Sequence, residues 1–512
     1  MQKKIIFNFV GWLELTEHFK FMEHYDLIVI GGGPSGYAGV MRALDYKKKV
    51  LLIEKKRIGG AGVYDGVLTS KTMWEYCRKV SSIREMIPDY QADFQDMENT
   101  IKEAVFERKT QMTVHLNLLQ KQLPDLVCYE KGCASFIDRN TIEIKKEDGS
   151  SKIVSGDNIL IATGSRPRYL PHIAIDEQII MTSDGVKNLK ELPESLVVLG
   201  AGVIGCEFAT IFSNLGKTKV YLIDKADRIL PFEDLDISEL ISESLEKHGA
   251  TIHHGSSLKR MEIINGKVEY ELEYKDGRTE IITVDKALIS VGRVANVEHL
   301  GLEKVGVRLN ERGSIANDDT QTNISNIFVA GDVTTAMALV NVGEREARHA
   351  VVRMFGPTVK PLDYENISTI MFLDPEVASV GLSPQDCDRK GIPHKVVKLD
   401  FSTNARAIAM RQTKGFFKII VTNDNGMRIL GMRVVGEHAS SAIQAVAYLI
   451  HTNQGIRELA DMMHPHPSII EGVQECLRML LGKSIYKSSV FKDKLKCYVC
   501  ENNVCTPVES LY

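Results

Sequence analysis

Two glycine clusters carry the chemistry that is easiest to read. Gly31, Gly33 and Gly36, with Pro34 and Ser35 inside the pattern, follow the apolar run Leu27 to Ile30. Gly200, Gly202 and Gly205, with Val203 and Ile204 inside it, follow Leu196 to Leu199. Glycines at this spacing permit a tight turn, let backbone approach a pyrophosphate, and let a helix pack on its strand, while the helix N-terminus adds partial positive charge. In each copy a second strand then ends in an acid, Glu54 followed by Lys55 in the first and Asp224 in the second. A carboxylate there can accept both hydrogen bonds of a ribose diol. Asp224 also repels a 2′-phosphate, so NAD(H) is expected over NADP(H) at the second cluster, with Lys225 and Arg228 close enough to soften the choice. Two dinucleotide sites on one chain imply electron transfer between two cofactors.

Such residues need strand, turn, helix and strand in order to hold them. Tyr25 to Lys55 and Glu194 to Lys225 both read that way, and their continuous apolar runs are those of parallel strands buried on both faces. Between them a charge-rich stretch from about Thr69 to Gln122 reads as helical, followed by alternation around Ile142 to Ile144 and a strand from Ile159 to Ala162. Strand-rich sequence after the second unit ends in Gly292-Arg293, and a further buried strand ends in Gly331-Asp332. From about Pro361, long alternating strands precede a helical pattern from about Ser441 to Leu481, which predicts an antiparallel sheet with helices. The fold class expected is α/β, with two Rossmann-type dinucleotide-binding domains plus an α+β C-terminal domain. From Tyr486 the chain turns polar and reads as a tail.

Length and composition bound the possible functions. At 512 residues the chain is too long for one core and suggests three or four domains. It is 44% hydrophobic and 25% charged, with 63 basic against 67 acidic residues, so no overall field draws nucleic acid or anionic lipid. No run reaches the ~20 apolar residues of a membrane span, so no integral membrane segment is expected. The opening of the chain has a basic start and an apolar run, but Asn8, Gly11 and Glu14 interrupt it, and residues 1–21 are read as an extension rather than a signal peptide. Nine cysteines at scattered spacings suggest a reducing, cytoplasmic compartment. Cys497 and Cys500 form C-x-x-C, which can be a redox pair or half a metal site. With Cys505 they make three ligands and no histidine nearby in sequence, one short of a tetrahedral zinc site, so no metal is expected.

The two fingerprints, together with Ala162-Thr163-Gly164-Ser165-Arg166-Pro167, Gly292-Arg293 and Ala330-Gly331-Asp332, resemble the pyridine nucleotide-disulfide oxidoreductases, typified by dihydrolipoamide dehydrogenase. The likeness runs from about Tyr25 to Ser484. It implies FAD on the first unit, with Gly60, Ser70, Thr163, Gly164, Gly331 and Asp332 among its contacts, and NAD(H) on the second. It also implies a homodimer built on the C-terminal domain, where Asp374-Pro375-Glu376 and Val380-Gly381 match the family's pattern. On that basis residues 22–165 and 286–350 form an FAD domain, 166–285 an NAD domain, 351–486 the dimerisation domain and 487–512 a cysteine-containing tail.

One departure from the family changes the expected chemistry. Where the family carries two cysteines separated by four residues, this chain has Gly62 and Val67, although Gly59-Gly60 and Ser70-Lys71 on either side align. Neither residue forms a thiolate, so no dithiol can relay electrons by that route. Lys71 and Glu207 match the lysine and glutamate that pair beside the flavin in the family. His466 in His464-Pro465-His466-Pro467-Ser468, with Glu471 five residues on, resembles the family's acid-base motif, in which the histidine reaches the partner subunit. The resemblance therefore implies hydride passing from NAD(P)H through flavin to a small-molecule electron acceptor that is quinone-like, as in the quinone reductase or diaphorase branch. The alternatives are a soluble pyridine nucleotide transhydrogenase and a non-catalytic cofactor-binding protein.

Overall fold

The computed structural model describes residues 22–334 and 337–509, and the N-terminal extension of residues 1–21 lies outside the described residues. The described chain divides into two compact units. One holds the residues up to Thr72 with Glu98–Arg168 and Gly292–Leu362, and the other holds Met73–Met97, Tyr169–Val291 and the chain from Asp363 onward.

The first unit is built on a seven-stranded sheet. Val127–Lys131, Val50–Glu54, Glu23–Ile30 and the end of Ser151–Ile161 run parallel in that order, and Ile327–Val329 also pairs with Ser151–Ile161 in parallel. Thr141–Lys145 and Cys133–Phe136 extend the sheet in antiparallel fashion. Side chains alternate between its two faces, which explains why the central runs are apolar throughout. Leu27, Val29, Leu52 and Leu160 join one core, while Ile28, Ile30, Leu51 and Ile159 join the other. The helix Pro34–Asp45 lies on the first of these faces through Val40 and Ala43, and its glycine turn is left at the sheet's carboxyl edge.

The second unit repeats this construction and adds a second kind of sheet. Thr251–His253, Lys219–Ile223, Ser195–Leu199, Lys286–Ile289 and Ile180–Thr182 form a five-stranded parallel sheet in that order. The helix Val203–Leu215 starts immediately after the second fingerprint. A separate seven-stranded sheet takes the order Ser368–Met371, Val377–Gly381, Ile429–Val435, Phe416–Thr422, His394–Asp400, Leu495–Glu501 and Val504–Val508. The helix Ile470–Leu480 buries Val473 and Leu477 in the same core as Phe417 and Val397.

The last two strands correct the reading of the chain end. Leu495–Glu501 pairs with His394–Asp400, and Val504–Val508 folds back on it, so the expected tail is a hairpin on the sheet's edge. Asn502 and Asn503 both take positive φ, 52° and 63°, the backbone that a two-residue hairpin turn requires. The hairpin closes a disulfide between Cys500 and Cys505, not between the C-x-x-C pair, and Cys497 stays a buried free thiol.

Candidate functional site

In both fingerprints the three glycines have separate tasks. The first takes positive φ, 110° at Gly31 and 102° at Gly200, to turn the chain off its strand. The third is fixed by packing, because a Cβ on Gly36 would lie 1.8 Å from the Gly31 oxygen and one on Gly205 would lie 1.8 Å from the Gly200 oxygen. The second is different: a Cβ on Gly33 or Gly202 would meet nothing within 4 Å. Each of these glycines is the N-cap of its helix and has no side-chain cap. Open space at a helix N-terminus with free amides suits a diphosphate.

The acids stand beside these turns. Glu54 is buried and accepts hydrogen bonds from the Gly32 and Lys56 amides at 2.7 Å each. Asp224 accepts from the Ala201 amide at 2.6 Å and the Ala226 amide at 2.8 Å. Each carboxylate is held in a fixed orientation, with acceptor capacity left for a ribose diol. Arg228, a candidate for softening the NAD preference, is otherwise engaged. Its guanidinium donates to the Pro231 and Glu233 oxygens at 2.8 Å each and also bonds Ser238.

The remaining predicted contacts in the first unit form one network. Asp332 accepts from the Ser165 hydroxyl at 2.7 Å, and Arg293 donates to the same hydroxyl at 2.8 Å and to the Ser165 oxygen at 2.9 Å. Thr163 and Asn296 exchange two hydrogen bonds, which place Gly164, at φ 70°, beside the Arg293–Ala295 strand. Gly331 lies so close to Ser35 that a Cβ would sit 2.4 Å from its hydroxyl, and the Gly331 amide donates to buried Glu346 at 2.7 Å. Gly60, at φ 48°, lies against Gly33, with a Cβ 3.2 Å from the Gly33 Cα. The Ser70 hydroxyl donates to the Gly66 oxygen at 2.9 Å inside its own helix. Sequence reasoning passed over Glu346, a buried acid whose only signal was its place on the buried face of the amphipathic helix Val340–Phe355, beside Val342, Ala347 and Ala350.

Beside this network the first unit contains a cavity of about 610 Å³. One face of the helix Pro34–Asp45, through Pro34, Ala38 and Met41, forms a wall, and Gly62, Val63, Val67, Leu68 and Met112 complete the apolar lining. Arg42, Asp45, Lys71, Arg108, Glu344 and Arg348 supply charge. Among the described residues no cysteine lines it. At Gly62 the wall is tight, because a Cβ would lie 2.7 Å from Pro34 Cγ and 3.3 Å from Pro34 Cδ. Tyr37 also borders the cavity, and its hydroxyl lies 2.6 Å from His115 Nδ1. Burial raises the Tyr37 phenol above its usual range. Met112, Glu344 and Arg348 were not anticipated, although Val340, Glu344 and Arg348 follow the i, i+4, i+8 spacing of one helix face.

The other predicted catalytic residues belong to the second unit. Glu207 is buried in the helix Val203–Leu215 and accepts from the Phe372 amide at 3.0 Å. His466 Nδ1 lies 2.8 Å from Glu471, whose other oxygen accepts from the Ser468 amide at 2.8 Å. The His466 side chain is 70% exposed, so the orienting glutamate leaves its outer nitrogen open. Burial opposes the charge on Glu471, but the bonds from His466 and Ser468 outweigh it and hold the carboxyl below its usual range. Cys77 is fully buried, and burial pushes its thiol well up, which makes it inert. The expectation that no histidine stands near the terminal cysteines also changes, because the sheet brings His394 to Cys500 and Cys505.

Residues 25–347 match the family described as pyridine nucleotide-disulphide oxidoreductase, and residues 367–477 match the dimerisation domain of that family. A dihydrolipoyl dehydrogenase of Chlamydia muridarum is 33% identical over 463 residues, covering 88% of this chain and 95% of that protein. A dihydrolipoyl dehydrogenase of Bacillus subtilis is 31% identical over 469 residues, covering 90% of this chain and 97% of the other. Among solved structures, LpdA of Mycobacterium tuberculosis superposes with a TM-score of 0.82 at 27% identity, over 90% of this chain and all of that one.

Proposed function

The chain belongs to the pyridine nucleotide-disulphide oxidoreductase family, and on that premise we propose that it passes electrons from NADH through FAD to a quinone-like acceptor rather than to a disulfide. The family uses FAD and NAD(H). The residues present fit both: the open space at Gly33 and Gly202, the oriented acids Glu54 and Asp224, and the network of Asp332, Ser165 and Arg293 suit two dinucleotides. Bound FAD supplies a ring that accepts hydride from a nicotinamide and can return electrons singly or in pairs.

The observation that carries the reading is the cavity next to Gly62 and Val67, apolar on most of its wall and without a cysteine. Reduction of a disulfide substrate needs a thiolate to attack and a mixed disulfide to form, and these two residues provide neither. A flat, apolar acceptor needs only dispersion and water exclusion from Pro34, Ala38, Met41, Val63 and Met112, and a proton. His466, oriented by Glu471 and exposed on its unit, is the proposed proton source, acting across a homodimer that the dimerisation-domain match supports. Arg228's engagement with its own loop favours NADH over NADPH and leaves transhydrogenation the weaker reading. Among the described residues no helix is long and apolar enough to cross a membrane.

The test is Val67→Trp, which fills the cavity from a position that is 43% exposed and so need not disturb the core. The KM for a soluble quinone is expected to rise at least about tenfold, on the order of 1.4 kcal/mol, while rapid-mixing reduction of the flavin by NADH keeps its rate. An unchanged quinone KM would remove the cavity from the reaction.

A further inference from the structure

Three side chains that no part of the proposed reaction uses lie in one row across the C-terminal sheet. His394 stands opposite Cys500 on the neighbouring strand, and Cys500 stands opposite Cys505 across the hairpin. Directly opposed residues project to the same face, so the pairing puts the imidazole and both sulfurs together. A ring nitrogen of His394 and the two sulfurs all lie within 4.8 Å of one another.

The histidine is prepared in a particular way. It is fully buried, and its Nδ1 lies 2.9 Å from the Ile392 carbonyl oxygen, which can only accept. Nδ1 therefore carries the proton, and Nε2 presents its lone pair, yet Nε2 is buried with no hydrogen-bond partner. An imidazole fixed by a carbonyl on one nitrogen, with the other left bare, is the arrangement of a metal-ligating histidine. Cys500 is buried beside Val396 and Ile420, whereas Cys505 is exposed, so the row opens to solvent at one end.

We propose that His394, Cys500 and Cys505 form a thiol-gated site for Zn²⁺, closed by the disulfide and opened by reduction. Two molecules of a small monothiol supply two electrons and two protons to the Cys500–Cys505 bond and leave as their own disulfide. Zn²⁺ then displaces both cysteine protons to solvent and binds two sulfurs and Nε2. The fourth position of a tetrahedral ion stays open toward water at the Cys505 side. Oxidation of the two thiolates by a disulfide reverses the sequence and releases the ion. The site links metal occupancy of the hairpin to the thiol poise around the protein.

The experiment uses the full-length, FAD-loaded protein with Zn²⁺ as probe. Oxidised and phosphine-reduced samples are dialysed against Zn²⁺ under argon, and bound metal is measured by mass spectrometry and by competition with a chromogenic chelator. Reduction is expected to add one equivalent of Zn²⁺, and the seven free cysteines present in both samples cancel in the difference. Co²⁺ in place of Zn²⁺ is expected to show a thiolate-to-metal charge-transfer band and intense tetrahedral d–d bands only after reduction. Cys505→Ser should abolish the added equivalent, and His394→Ala should weaken it at least tenfold. Because His394 is buried, circular dichroism of each variant and the surface substitution Cys505→Ser keep the test independent of folding. No added metal on reduction, or the same gain in Cys505→Ser, overturns the proposal.

Discussion

Introducing cysteines at positions 62 and 67 is the sharpest perturbation of the cavity. At position 67 a cysteine is smaller than the half-exposed valine and fits without rearrangement. Position 62 is different: the new Cβ would lie 2.7 Å from Pro34 Cγ, when carbon atoms pack at about 3.5–4.0 Å. Gly62 takes an ordinary φ, so the backbone raises no objection and the overlap alone opposes the change. Pro34 is the first residue of its helix, and its ring is part of the backbone, so it cannot swing aside as a flexible side chain would. Gly62→Cys/Val67→Cys should therefore lose about 1–3 kcal/mol of stability, the usual cost of overpacking. Adding Pro34→Ala should recover most of it. The assay is chemical denaturation of the FAD-loaded variants, with thiol titration to follow the new pair and dihydrolipoamide oxidation by NAD⁺ as the activity. If the double variant is as stable as the parent and oxidises dihydrolipoamide, the reasoning about Pro34 is refuted.

The glycines of the first fingerprint should separate fold from ligand. Gly33→Ala, whose methyl meets no protein atom, should cost only about 0.5–1 kcal/mol through the helix cap but lower FAD occupancy, whereas Gly36→Ala should cost about 3 kcal/mol or more, as read from denaturation of the apoprotein. Asp224→Ala should narrow the preference for NADH over NADPH by about 1–3 kcal/mol, and unchanged relative kcat/KM values would remove Asp224 from the cofactor site. His466→Ala should slow quinone turnover by about 10²-fold while sparing one-electron acceptors that take up no proton, and equal losses would make the His466–Glu471 pair structural.

Much of this was legible because both dinucleotide units are local. Leu27 to Glu54 and Leu196 to Asp224 each contain their own strands, turn and acid, so periodicity and glycine spacing were enough to place them. The His466–Glu471 bond spans five residues and was legible for the same reason. The cavity was not, because its wall joins segments near residues 34, 62, 112 and 344, and only tertiary packing brings them together. The closing hairpin was hidden by its edge position: Val504, Cys505, Thr506 and Pro507 are exposed, so the strand lacks the apolar alternation of a buried one, and Asn502-Asn503 was the remaining signal. His394 and Cys500 meet through strand register, which sequence spacing does not encode.

The central claim is that electrons leave for a flat acceptor and not for a disulfide. It is tested most directly by steady-state turnover of the pure, FAD-loaded protein with NADH against soluble quinones, measured beside lipoamide reduction and dihydrolipoamide oxidation by NAD⁺. The expected result is sustained quinone reduction with no turnover of either lipoamide form, since Gly62 and Val67 supply no thiolate to the cavity. Robust dihydrolipoamide oxidation, with quinones left unreduced, would contradict it.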